Sequence, residues 1–311
     1  MSLILGADLP SCPSSWHFVD YPSVTFTYAA IAAAALVFAL VAGIKYNSVK
    51  VFNRSIRTEN ISNTLWILFY IFISLRATVN TLRYALADGS EETLDNYLIY
   101  SGLVIHGLTG FCLTLALNHQ HKFRSTSPNA QPGPVGGKAG PNDPDPLLSK
   151  YGWLKKSVGW AELLYFALFL LYLAFVLVMI IRRDEDDEWV WVAVFLSVFG
   201  LQRVPVIVLV FLIALGKRDT PDGPTAWAKA YLVVGVFFSL TNDMPVHIWA
   251  ELFPSECTFV FASWVDLIHV FYLPTLVCFF LFIRSEYLRN MEECIWTTVS
   301  QIQDTFDFRR F

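Results

Sequence analysis

The sequence predicts an all-α, polytopic membrane protein: a seven-transmembrane helix bundle with its N-terminus outside and its C-terminus in the cytosol. Three observations carry that expectation. Of 311 residues, 55% are hydrophobic and only 15% are charged, against about 25% charged in an ordinary soluble domain. Seven apolar stretches are each long enough to cross roughly 30 Å of hydrocarbon as a helix. Seventeen of the 22 lysines and arginines fall on one side of those stretches, which marks that side as cytosolic. A net charge of -4 and a pI near 5.9 exclude a nucleic-acid-binding protein, and five cysteines are too few for a disulfide scaffold.

In chain order, residues 1–26 lack a basic n-region, so no cleaved signal peptide is expected and the segment reads as extracytosolic. The predicted spans are 27–44, 64–86, 97–117, 160–181, 189–215, 230–250 and 258–283, together a bundle over residues 27–283. Barrel strands would run near 10 residues and alternate in polarity; these stretches do neither. Lys45, Lys50, Arg54 and Arg57 mark the first cytosolic loop, and Lys217, Arg218 and Lys229 a later one. On the opposite side only Arg182 and Arg183 appear, beside the acidic run from Asp184 to Glu188. The sequons at Asn53 and Asn60 fall on the cytosolic side and are expected to be unmodified.

Residues 122–150 read as a disordered cytosolic loop, because residues 125–147 carry six prolines and four glycines and almost nothing to bury. A linker is the plain reading of that loop; a docking or phosphorylation site is the sharper one. In the tail, residues 284–311, apolar positions at Leu288, Met291, Ile295, Val299, Ile302 and Phe306 trace one face of a helix. That face suits a helix lying along the cytosolic interface. Cys294 beside it is a palmitoylation candidate, against the alternative of an unmodified thiol. Cys12 and Cys257 are the cysteines on the oxidising side, and a bridge between them is expected. Cys112 and Cys278 lie within spans and read as packing residues.

Ionisable residues inside a bilayer are costly, so they are usually paired or functional. The inventory is Arg76, Arg83, His106, Glu162, Arg203, Asp243, His247, Asp266 and His269. Counting about 1.5 Å per residue from the outer helix ends, Arg76, His106, Asp266 and His269 lie roughly 12–16 Å deep. Asp243 lies near 10 Å and Arg203 near 21 Å on the same count. Arg76, Asn80 and Arg83 share one face of the second span, and Gly102, His106 and Gly110 one face of the third. Asp243 with His247, and Asp266 with His269, are helical neighbours. Pro205 and Pro274 are expected to kink their helices.

Three readings compete for this layer. In the structural one, Arg76 and Arg203 are neutralised by Asp243 and Asp266, with Asp266 the better partner of Arg76 by depth. In the second, Arg76, Asn80, His106, Arg203, Asp243, His247, Asp266 and His269 line a ligand pocket or a proton-sensitive switch. In the third, His106, His247 and His269 hold zinc with a carboxylate; no close ligand spacing such as H-E-x-x-H supports it.

The last predicted span contains no lysine, so no retinal is expected. A rhodopsin-like acidic-Arg-Tyr triplet is absent at the end of the third span, where Asn118-His119-Gln120-His121-Lys122 stands instead. Neither a nucleotide-binding loop nor a Gly-x-Ser-x-Gly elbow occurs.

Leu75-Arg76-Ala77 in the second span, Leu115-Ala116-Leu117-Asn118-His119 closing the third, and Pro274 in the seventh resemble a known group. These are the receptor-like seven-helix proteins similar to tobamovirus multiplication protein and the adipocyte-associated transmembrane protein. The resemblance implies a receptor-like role without an agreed catalytic activity, and no functional residue is carried over from it. The proline-rich third loop departs from the group.

The expected function is therefore a receptor-like membrane protein of the plasma membrane or an endomembrane. Its polar pocket opens outward to a small-molecule or lipid ligand, and its cytosolic face serves a signalling partner. An intramembrane metal-dependent hydrolase acting on a lipid is the first alternative, and a transporter or channel the second. An enzyme is the less favoured class.

Overall fold

The computed structural model describes residues 22–46, 48–51, 54–57, 63–86, 92–125, 159–181, 197–215, 224–242, 257–259, 262–263 and 267–307. Helices dominate them, with two short antiparallel hairpins. Helix α1 (Pro22–Lys45) begins on a proline, whose missing N–H costs nothing at a helix start. Its small residues Ala35, Ala39 and Ala42 are buried and let α2 (Asn63–Ala85) approach closely. Two side chains of α2 fasten that seam: Ser74 Oγ donates to the Ala32 carbonyl at 2.9 Å and Asn63 Nδ2 to the Ala42 carbonyl at 3.0 Å. Between these helices lies a hairpin of β1 (Ser48–Val51) and β2 (Arg54–Arg57), in register Ser48 to Arg57.

Helix α3 (Glu92–Ser125) is the spine of the bundle. It outruns its predicted span at both ends and packs against α2, α4 (Trp160–Ile181) and α5 (Val204–Leu215). Helix α4 matches its predicted span and is the outermost of the long helices. Its Phe169, Tyr172, Val176 and Met179 face inward, while Leu163, Leu164, Phe166, Leu170 and Leu171 are 48–56% exposed. An apolar surface of that extent suits hydrocarbon, not water. Four segments are long and apolar enough to cross a membrane: α1, α2, Tyr97–His121 within α3, and α4. Two shorter apolar segments follow, Gly200–Leu215 and Ala226–Thr241. The chain is thus that of a helical membrane protein.

Several predicted spans take a different form. The fifth is not one uniform helix: residues Ser197–Arg203 form a π-helical segment that leads into α5. Pro205 accounts for it, since proline lacks the N–H that an α-helix needs and its ring crowds the carbonyl four residues back. The sixth is α6 (Ala226–Asn242), with Thr225 Oγ1 accepting from the Ala228 amide at 3.1 Å as an N-cap.

The seventh departs most from expectation. Its predicted first half contains β3 (Cys257–Phe259), paired with β4 (Ala262–Ser263), and then the short helix α7 (Leu267–Val270). β-branched and aromatic residues around Thr258–Phe261 favour strand over helix. Pro274 then turns the expected kink into a break, because its ring opposes the Val270 carbonyl where α7 ends. Helix α8 starts two residues earlier, with Pro274 in its first turn, and runs from Tyr272 to Asp307. No glycine or proline interrupts residues 275–307, so the predicted tail helix is a continuation of α8, not a separate element.

The core lies where α1, α2, α6 and α8 meet, and is aromatic. Trp66 and Phe69 of α2 lie 6.0 and 5.6 Å from Phe279 of α8, ring centre to ring centre. Gly235 of α6 makes room for the same ring: a Cβ there would sit 2.9 Å from Phe279 carbons.

Candidate functional site

Polar side chains gather at the two ends of this bundle. At one end α2 finishes while α1, α3 and α8 begin. There the Arg76 guanidinium, on α2, donates from Nη1 to His106 Nδ1 on α3 at 2.7 Å. The same nitrogen donates to the Tyr272 hydroxyl on α8, and the guanidinium carbon stands 5.4 Å from the Tyr272 ring centre. Both protons of one nitrogen are thus used, and three helices are tied through one side chain. His106 is 2% exposed.

A guanidinium can only donate, so Nδ1 is the acceptor and the imidazole proton resides on Nε2. His106 Nε2 is buried and has no hydrogen-bond partner among the described residues. Arg203, itself 3% exposed, lies within electrostatic reach of the same imidazole. Nearby, Tyr28 of α1 is hydrogen-bonded through its hydroxyl to His269 Nδ1 on α7 at 2.9 Å. Tyr28 stacks on Tyr84 at 5.7 Å, and the Arg83 guanidinium sits 5.2 Å over the Tyr84 ring. Arg83 is buried.

Of the residues singled out from sequence, this end therefore brings together Arg76, Arg83, His106, Arg203 and His269. Asn80 lies beside Gly102, where a Cβ would be 3.8 Å from its Oδ1. Asp243, His247 and Asp266 lie outside the described residues, so the expected Arg76–Asp266 pair falls there too; so does Cys12. The side chains of Cys257 and Cys294 are likewise outside the described set. Along α3, Gly107 admits the Tyr172 ring, and Gly110 the Gln202 side chain, whose Oε1 would lie 2.2 Å from a Cβ.

Three partners escaped the sequence inventory: Tyr28, Tyr84 and Tyr272. Their signal was available, because a buried tyrosine hydroxyl usually seeks a hydrogen bond. Cys112 and Cys278 are free thiols, as expected of packing residues.

The opposite end holds a second polar layer. Asn118 Nδ2 donates to Glu162 Oε1 of α4 at 2.8 Å. Gln120 Nε2 donates to Glu286 Oε2 of α8 at 2.7 Å, and Arg289 Nη2 reaches the same oxygen at 3.3 Å. Glu286 is 1% exposed, so this carboxylate is held by an amide and a guanidinium. Tyr46, just beyond α1, packs 4.9 Å from the Tyr287 ring. Burial raises its phenol above the ordinary range, against the lowering pull of Arg284.

Metal chemistry fits this arrangement poorly. Among the described residues no group of three histidine, cysteine or carboxylate side chains converges as a metal site. His106 offers no lone pair, since Nδ1 accepts from Arg76 and Nε2 bears the proton, and the adjacent guanidinium repels a cation. The geometry instead suits an acceptor or an anion. No known family, curated protein or solved structure matches this chain.

Proposed function

We propose that this chain is a receptor-like, seven-span membrane protein with its N-terminus outside, its C-terminus in the cytosol, and a ligand pocket at the Arg76–His106 end. The observation that carries the reading is the junction of Arg76 with His106 and Tyr272, which ties α2, α3 and α8 through one half-buried cation. A ligand that competes for those donors changes how α8 is held. The break between α7 and α8 supplies the joint at which such a change is absorbed. The bias of basic residues supports the orientation, and the resemblance to receptor-like seven-helix proteins agrees with the class. A cytosolic signalling partner would read the far end of α8.

The test uses full-length protein in detergent, screened with membrane lipid extracts and small-molecule libraries by thermal midpoint. Hydrogen exchange over residues 226–242 and 267–289 is then compared with and without each stabilising compound. The receptor reading expects at least one compound that raises the midpoint and alters exchange in those segments. Stabilisation with unchanged exchange would refute the switching role. About one zinc per chain, retained through dialysis, would favour the hydrolase alternative instead.

A further inference from the structure

We infer that the β1–β2 hairpin between α1 and α2 is a membrane-surface element that docks on the anionic lipid head groups of the surrounding leaflet. This surface requires only that α1 and α2 cross the membrane, so it goes beyond the receptor reading and is independent of it. Both helices are long and apolar enough to cross.

The register divides the hairpin into two unlike faces. Residues directly opposite in an antiparallel pair share a face, and the faces alternate along each strand. Ser48 opposite Arg57 and Lys50 opposite Ser55 make one face. Val49 opposite Ile56 and Val51 opposite Arg54 make the other. The first face is wholly polar and carries two bases. The second is apolar but for Arg54, at the position next to the connection through Phe52 and Asn53.

Its position follows from the helices that flank it. Helix α1 ends at Lys45 and β1 begins three residues later, a reach of about 10 Å. Ile44, one residue earlier, is 79% exposed, so the apolar surface of α1 runs up to that boundary. The hairpin is therefore held at head-group depth. A lone two-stranded hairpin is marginal at best in water, so its apolar face calls for a covering surface. A leaflet boundary takes in such a face about 5–10 Å deep and leaves the opposite face among the phosphates.

Charge selects the lipid. Residues 45–58 hold Lys45, Lys50, Arg54 and Arg57 and no acidic residue, which favours a leaflet rich in anionic head groups. Arg54, although on the apolar face, has a stem long enough to return its guanidinium to the phosphates. β1 also approaches α8, which carries Glu292 and Glu293 shortly after Arg289. A pair of carboxylates answers charge alone, whereas a leaflet answers the charge and the apolar face together.

The experiment is hydrogen exchange over residues 46–58 of the full chain in nanodiscs. One set of discs is phosphatidylcholine; the other adds about 30% phosphatidylserine to make the surface anionic. A base near an anionic surface is worth about fivefold in binding. Exchange of residues 48–57 should therefore slow at least about fivefold in the anionic discs. That gain should vanish in about 1 M potassium chloride, where the screening length is about 3 Å. Lys50→Gln with Arg57→Gln should lose most of it while α1 and α2 exchange as in wild type. Equal exchange in the two kinds of disc at low salt overturns the inference. Protection that ignores the lipid and disappears in Glu292→Gln with Glu293→Gln would assign the bases to α8, and overturns it too. If the Lys50 and Arg57 variant loses the hairpin in both kinds of disc, the salt series on wild-type protein still decides. None of these results bears on exchange in α6–α8, by which the receptor reading is tested.

Discussion

Tyr272→Phe removes one oxygen from the junction of α2, α3 and α8 and leaves everything else in place. The ring that lies 5.4 Å from the Arg76 guanidinium stays, so the cation–π contact stays. What is lost is an acceptor for a charged donor, worth about 1.5–3 kcal/mol in a buried setting. Neutral interhelical hydrogen bonds in membranes average only about 0.6 kcal/mol, so the cation sets this bond apart. A loss near 1.5 kcal/mol shifts the folding equilibrium roughly tenfold. The assay is reversible unfolding in mixed micelles of increasing sodium dodecyl sulfate, followed by tryptophan emission. Tyr272→Phe is made in the wild-type background and in Arg76→Met. With the guanidinium gone the same deletion should cost less than about 0.5 kcal/mol, giving a coupling of about 1 kcal/mol or more. Equal costs in the two backgrounds would show that Arg76 and Tyr272 do not depend on each other, and the junction would lose its central role.

At the other end, Gln120→Leu takes the amide donor away from the buried Glu286 carboxylate, leaving the longer contact with Arg289, and should cost about 1.5–3 kcal/mol, whereas Glu286→Gln keeps an acceptor for Gln120 and should cost clearly less; the same unfolding assay decides. Gly235→Ala sets a methyl 2.9 Å from Phe279, a ring that is fully buried, and should lose about 1–3 kcal/mol. Gly102→Ala meets nothing closer than 3.8 Å and should fold as wild type, so equal losses at the two glycines would contradict the packing. Tags at residues 1 and 311 should report opposite sides of the membrane, with residue 1 extracytosolic; two cytosolic tags would mean an even number of spans. Mass mapping without reductant should recover a linked peptide pair containing Cys12 and Cys257, and free thiols at both positions would exclude the bridge.

Hydropathy located α4 to the residue because its apolar run is bounded by charge and by tryptophan, with no competing signal inside. It failed at residues 258–259 and 262–263, which pair as strands, because a short apolar run with β-branched and aromatic residues reads equally as buried helix or as strand. The break before α8 was half visible: Pro274 announced a disturbance, but only the chain's path shows α7 and α8 as separate pieces. Arg76, His106 and Arg203 stood out as ions in an apolar sequence, so the candidate site was legible as a list. Its geometry was not, because depth along a helix says nothing of azimuth. By depth Asp266 was the natural partner of Arg76, a pairing that lies outside the described residues, while depth gave no sign of the imidazole and the phenol that Arg76 does meet. Hydropathy also counts tyrosine with the apolar residues, which hid Tyr28 and Tyr272 from a search for ions.

The distribution of polar residues among the helices follows from how many neighbours each one has. In a bilayer no water is at hand, so a polar side chain survives only where another helix can answer it. Helix α3, enclosed by α2, α4 and α5, buries His106, Thr109, Thr114, Asn118 and Gln120. Helix α4, outermost, contributes Glu162 in its first turn, where Asn118 of α3 reaches it. Helix α8 touches both polar layers, with Tyr272 at one end and Glu286 fourteen residues on, about 21 Å along an uninterrupted helix. Pro274 sits in the first turn, where its missing N–H costs no helical bond, and no glycine or proline follows it as far as Asp307, so the helix moves as a unit. Any ligand that draws Arg76 away from Tyr272 therefore acts on the hold that Gln120 has on Glu286. Beyond Glu286 the same helix continues to Asp307, so its far end is joined directly to the residue that accepts from Arg76.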